Sequence, residues 1–141
     1  MNRVIKVIFN VCLLALFLPL TSAAQDNSYQ TDRTIRFNGN SRAERVILNI
    51  DDETKELHLK IRSRIREGSL KIEIYDPSGG KRGNFVIEGQ LGTNATSSES
   101  VEGRISKSIP TPQQGEWIIK IIPVGVHGQI WIKSDQVLEQ L

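Results

Sequence analysis

From Thr34 onward, apolar and polar residues alternate with a period of two, the signature of half-buried strands rather than helices. Thr34-Ile35-Arg36-Phe37 predicts a short first strand, ended by the turn-forming Asn38-Gly39-Asn40. Ala43–Ile50 follows, with Val46, Leu48 and Ile50 on one face, and Asp51–Lys55 reads as a charged turn. The clearest alternation is Leu57–Arg66. Leu57, Leu59, Ile61 and Ile65 face one way, Ser63 interrupts that row, and His58, Lys60, Arg62, Arg64 and Arg66 face the other. Leu70, Ile72 and Ile74 form the next inward row, stopped by Asp76-Pro77-Ser78-Gly79-Gly80. Glu67-Gly68 then predicts a two-residue hairpin that pairs Ile65 with Leu70, Arg62 with Glu73 and Lys60 with Tyr75. If the two segments belong to opposite sheets, that pairing fails while the alternation survives.

Asn84–Glu88 predicts another strand, Gly89–Ser100 a polar loop, and Val101–Ile109 a strand ended by Pro110-Thr111-Pro112. Glu116–Pro123 is apolar on both faces except for Lys120, as in a central strand covered on both sides. Val124–Gly128 reads as a turn, Gln129–Lys133 as a strand, and Gln136–Leu141 as a frayed end or edge strand. There is no helical periodicity and no internal repeat. About eight short strands between Gly/Pro turns predict an all-β fold, an antiparallel sandwich or barrel, of which a single antiparallel β-sandwich over residues 34–141 is the expectation. Residues 25–33 form a polar lead-in.

Charge enters next. The 141 residues carry a formal charge of +2, but residues 1–24 hold Arg3 and Lys6 and no acid, so the remainder has as many basic residues as acidic ones. The same 24 residues contain an apolar run, Val7–Leu20, and small residues ending at Ala24. That combination predicts a signal peptide cleaved after Ala24 and a secreted or periplasmic protein with no stable membrane span. Cys12 is the only cysteine and lies inside the signal, so disulfides, thiol nucleophiles and cysteine metal sites are excluded from the mature chain.

The order of features from Ser69 on resembles a known pattern. Leu70–Ile74 runs into Tyr75-Asp76-Pro77-Ser78-Gly79, then come Gly115-Glu116-Trp117 and Gly128-Gln129-Ile130-Trp131. This resembles the jelly-roll sandwiches of bacterial pre-peptidase C-terminal domains and of the proprotein-convertase P-domain, over roughly residues 69–133. The resemblance implies a jelly-roll architecture and a non-catalytic accessory module. No peptidase precedes the sandwich in this chain, which departs from those families and points to a stand-alone module. Some P-domains bind calcium. The Asp51-Asp52-Glu53 cluster and Asp76 offer oxygens, but no Asp-x-Asp-x-Asp-Gly loop frames them, so solvated turn charges and no cofactor are expected.

Catalytic and metal-binding motifs are scarce. No Gly-x-Ser-x-Gly elbow exists, and His58 and His127 are widely separated without zinc spacing, so neither a catalytic residue nor a metal site is expected. Gly79-Gly80-Lys81-Arg82-Gly83 is Gly-rich and basic but lacks the Gly-Lys-Ser/Thr of a phosphate loop, and reads as a hairpin loop. Asn94-Ala95-Thr96 has the form of a glycosylation sequon.

Two surface hypotheses remain. The row His58, Lys60, Arg62, Arg64, Arg66 is a candidate anion-binding stripe, its members about 7 Å apart. Two such charges repel in water by only about 0.6 kcal/mol, so the row is also tolerable as a solvated face, the more so with Glu73 across a hairpin. Trp117 and Trp131 are a candidate aromatic platform for sugar rings, with Trp117 expected in the core. The balanced charge and few aromatics argue against nucleic acid. The resulting expectation is a non-enzymatic binding module for an envelope or extracellular protein or glycan. The alternatives are a small hydrolase with an unidentified site and a structural or self-assembling domain.

Overall fold

A computed structural model of the chain describes residues 30–89 and 100–139. These form six strands: β1 (Gln30–Asn38), β2 (Glu44–Ile50), β3 (Thr54–Tyr75), β4 (Lys81–Gly89), β5 (Val101–Pro110) and β6 (Gly115–Leu138). Every pairing is antiparallel. The expected signal peptide and the Asn94-Ala95-Thr96 sequon lie outside the described residues.

The lengths of β3 and β6 organise the molecule. A straight strand of 22 residues, the length of β3, would run about 70 Å, far beyond the size of a domain of about 100 residues. β3 therefore bends, and β6 bends beside it along their whole shared length, from Thr54↔Leu138 to Tyr75↔Ile118. The first half of β3 pairs with β5 and its second half with β4. The first half of β6 pairs with β2 and its second half with β1. The result is two four-stranded layers made from six strands: β1–β6–β3–β5 in the first layer and β2–β6–β3–β4 in the second. Their proximity is plain on the β4/β5 side, where those two strands, each paired to β3 but not to the other, bring Ile87 against the backbone of Gly103.

Six strands replace the eight expected because two pairs of expected strands are continuous. Glu67-Gly68 is a bend within β3, so Ile65, Arg62 and Lys60 do not pair with Leu70, Glu73 and Tyr75. Val124–Gly128 is likewise a bend within β6, not a turn, and Gln136 is a buried residue of that central strand rather than a frayed end. β1 begins at Gln30, inside the expected lead-in.

At the bend, the inward row switches from odd to even positions in β3, from Ile65 to Leu70, and in β6 from Pro123 to Val126. Pairing is irregular between Ile65 and Ser69, as bulged strands require when each inserts a residue. Both halves thereby face one core: Leu57, Leu59, Ile61, Ile65, Leu70, Ile72, Ile74, Ile119, Ile121, Ile130 and Ile132 are all buried. Gly68 (φ +85°) and Gly128 (φ +150°) sit where any Cβ would enter backbone of the neighbouring strand.

Among the described residues the four outer strands each have one unpaired edge, and charged side chains guard them. Arg33 of β1 and Glu44 of β2 approach to 4.0 Å between the layers, and the Lys107 ammonium of β5 donates to the Arg82 carbonyl of β4. Charges at inward positions of edge strands discourage indiscriminate strand addition.

Ser63, the interruption in the apolar row, is 1% exposed, and its hydroxyl has no hydrogen-bond partner among the described residues. It faces Gly103, whose missing side chain leaves the hydroxyl its space. An unsatisfied buried hydroxyl costs about 1–3 kcal/mol. Ser63→Ala is therefore expected to raise the melting temperature by about 5 °C, read by circular dichroism; a lowered value would mean that the hydroxyl has a partner in solution.

Candidate functional site

The outer surface of the first layer carries the basic row. His58, Lys60, Arg62, Arg64 and Arg66 point away from the core along the first half of β3, flanked by β5 and the second half of β6. The row is matched by acids only in part. Glu102 of β5 serves three guanidinium groups: Arg64, which donates to it from Nε at 2.9 Å, Arg62 at 3.5 Å and Arg104 at 3.6 Å. The hydrogen bond and charge of Arg64, with the charges of Arg62 and Arg104 behind them, hold the Glu102 carboxyl below its ordinary range. Lys60 and Arg66 have no ion-pair partner among the described residues.

Glu73, the expected partner of Arg62, lies in the other layer. It is 4% exposed beneath Lys71 and Lys81, at 2.9 and 2.7 Å, and accepts from the Tyr75 hydroxyl at 2.9 Å. Lys81, then Lys71 and Tyr75, hold its carboxyl at about 2 against an ordinary 4.5. A depressed carboxyl stabilises the fold above its unfolded value. Its contribution is full above about pH 4.5 and fades as pH falls toward 2.

The two tryptophans part company. Trp117 is 2% exposed, in the core, with its Nε1 donating to the Gln113 carbonyl at 2.8 Å. No two-indole platform exists, because odd positions of the first half of β6 point inward. Trp131 lies beyond the bend, where odd positions point outward, and is half-buried on the basic face. It is the direct cross-strand neighbour of Arg62, whose guanidinium lies over the indole at 5.6 Å from its centroid. Stripe and ring thus meet at one place. Around them is a shallow depression of about 500 Å³, lined by Lys60, Arg62, Arg104, Ser106, Trp131 and Lys133. Lys133 pairs with Asp32 at 3.0 Å.

Arg104 and Lys133 were not singled out from sequence. The alternation of their segments puts them on outward faces, but only the register, Arg62↔Arg104 and Lys60↔Lys133, sets them beside the row.

Both histidines lie beside carboxylates. Ser108 Oγ donates to Glu56, and His58 Nδ1 is 3.1 Å from the same oxygen, with His58 Nε2 3.5 Å from Glu56. Ser108 Oγ thus lies between the Glu56 carboxylate and the His58 imidazole on the exposed outer face of the first layer. His127 contacts Glu67 across the bend and packs on Gly39. Asp76, one of the oxygens considered for calcium, is engaged by Arg82 Nε at 2.6 Å and the Gly80 N–H at 2.7 Å. Among the described residues, no three of His, Cys, Asp and Glu converge as a metal site would need. Gly79 and Gly80 close the β3–β4 turn, and Lys81–Gly83 begin β4.

These features define an all-β antiparallel sandwich with one basic, aromatic-bearing outer face. No protein-family model and no curated protein matches the chain. Solved structures do. A Bacillus endospore appendage protein, of a family of disulfide-linked pili, is 12% identical, with a TM-score of 0.42 over 79% of this chain and 89% of that one. The infectious bursal disease virus Gx strain structure is 14% identical, with a TM-score of 0.45 over 79% of this chain and 33% of that one. A mutant VP2 protein of the same virus is 13% identical, with a TM-score of 0.44 over 79% and 31%. This chain spans about a third of the viral proteins' length.

Proposed function

We propose that the chain is an exported, non-catalytic structural β-sandwich that associates with further copies of itself through the outer face of the second layer. One observation carries the reading. The first half of β6 is a central strand between β2 and β3 that carries Ile118, Ile122 and Val124 on its outer face, interrupted by Lys120, and among the described residues only its inner face is covered. Ile118 and Ile122 are half-buried on the open side; Ile47 (51% exposed) faces Ile118, Val124 (65%) follows Ile122 along the strand, and Val86 (55%) lies beyond Lys71. The expectation of cover on both sides is thus met on one side within the chain. An apolar group of this kind on an otherwise polar surface marks an interaction face.

A second copy is the occupant that the charges favour. Arg45, Lys71, Lys81 and Lys120 stand on this face with Glu73, Glu88 and Glu116, a near balance that does not oppose self-contact. The basic face of the first layer would repel its own copy. Export rests on the signal-like residues 1–24, and the non-catalytic reading on a sequence without a nucleophile elbow or zinc-ligand spacing. No cofactor enters the reading.

Sedimentation velocity from roughly 1 μM to 1 mM, the window of weak to moderate affinity, is expected to show reversible association. Ile118→Ser with Ile47→Ser should return the protein to monomer. A wild-type monomer throughout the range would sink the proposal. The other reading, a module binding an envelope or extracellular glycan, has its support on the opposite face, where Trp131 meets the basic row.

A further inference from the structure

The geometry points to a second, separate surface: we infer that the depression around Trp131 binds an acidic polysaccharide, its anionic group held among Lys60, Arg62, Arg104 and Lys133 and a sugar ring against the indole. Three observations converge on it. Four cationic side chains from β3, β5 and β6 line one concavity of about 500 Å³. Within it Lys60 lacks an acidic partner among the described residues, while Arg62 and Arg104 share the single charge of Glu102 with Arg64. Counting Lys60, Arg62, Arg64, Arg104 and Lys133 against Glu102, Asp32 and Asp135, which faces His58 one pair along, leaves an excess of positive charge over a few side chains. The indole is the third element. It is half-buried on a sheet surface and backed by Arg62, so ring and guanidinium are held in place before any ligand arrives.

The combination selects a ligand class. An inorganic anion has no use for the indole, and a neutral sugar has none for the cations. A sugar ring bearing a carboxylate or sulfate uses both: its C–H face lies on the aromatic ring and its charge reaches the ammonium and guanidinium groups. Glu102 stands within the cluster and penalises a dense phosphate array, which disfavours nucleic acid. Ser106 supplies a hydroxyl in the lining for a neutral sugar oxygen. The site is on the first layer, so it neither requires nor uses the self-association face.

Calorimetry of the purified protein with a heparin-derived hexasaccharide, an oligogalacturonate and a neutral cello-oligosaccharide of equal length tests the inference. At least one acidic probe is expected to bind and the neutral one not. Lys60→Ala with Arg104→Ala should weaken acidic-probe binding by about tenfold or more, and Trp131→Ala by about fivefold. Raising salt from about 50 to 300 mM, which shortens the screening length, should weaken it sharply. Arg42→Ala, an exposed cation in the β1–β2 connection outside both proposed surfaces, should leave binding unchanged, and circular dichroism verifies that each variant is folded. Equal affinity for the neutral probe, indifference to Trp131→Ala, or tighter binding of a single-stranded oligonucleotide of equal charge would each overturn the inference. So would binding of neither acidic probe.

Discussion

Gly128→Ala is expected to destabilise the protein by about 3 kcal/mol and to lower its melting temperature by about 15 °C. Gly128 has φ +150°, and a Cβ built there would lie 2.2 Å from the Arg64 carbonyl oxygen and 2.8 Å from Ile65 Cα. Those are backbone atoms of β3, a central strand in both layers, and they cannot retreat without breaking pairs on either side. Gly79→Ala is the informative comparison. Gly79 also has positive φ, +83°, but nothing lies within 4 Å of its added Cβ. Its substitution should cost only the backbone penalty, about 1 kcal/mol. Urea unfolding of the two variants separates conformational strain from collision, and equal losses would remove the collision argument.

Trp117→Ala should be comparably severe, about 4 kcal/mol, because it empties a large core volume. The indole packs in the core and floors a second depression, of about 410 Å³, that also involves Pro112 and Lys107. Its Nε1 donation to the Gln113 carbonyl pins the turn between β5 and β6. Trp117→Phe keeps most of the volume and should lose about 1 kcal/mol for that hydrogen bond. Trp131→Ala, on the half-buried face, should cost about 1 kcal/mol. In the wild type, acrylamide should quench one indole and spare the other. Equal quenching of both, or a mild Trp117→Ala, would contradict the assigned burial.

How much of this could be read from sequence follows from what a period of two encodes. Alternation reports which side of a strand is apolar, so Leu57, Leu59, Ile61, Leu70, Ile72 and Ile74 were placed inward, and the all-β antiparallel sandwich followed. It does not report whether a strand stops. At Glu67-Gly68 and Val124–Gly128, glycine and a change of face look the same for a hairpin as for a bulged bend. Choosing the hairpin divided β3 and β6, raised the strand count to eight and sent Glu73 to the wrong face. The basic row was legible because its five members share one strand. Its meeting with Trp131, 69 positions beyond Arg62, depends on a register that no local pattern contains. Ser63 was visible as an interruption, but its reason, the bare backbone of Gly103 opposite, is a tertiary matter.

The passage of β3 and β6 through both layers has a kinetic consequence. Neither layer contains a central pair of its own, so neither has the means to persist when the other opens. The nearest contact between the two long strands joins Tyr75 to Ile118 and the farthest joins Thr54 to Leu138. Every central pair must therefore close a long loop before it is rewarded, the situation in which all-β chains fold in milliseconds to seconds rather than microseconds. Once closed, the same two strands make the sandwich one cooperative unit, whose melting is a single event rather than the peeling of one sheet from the other.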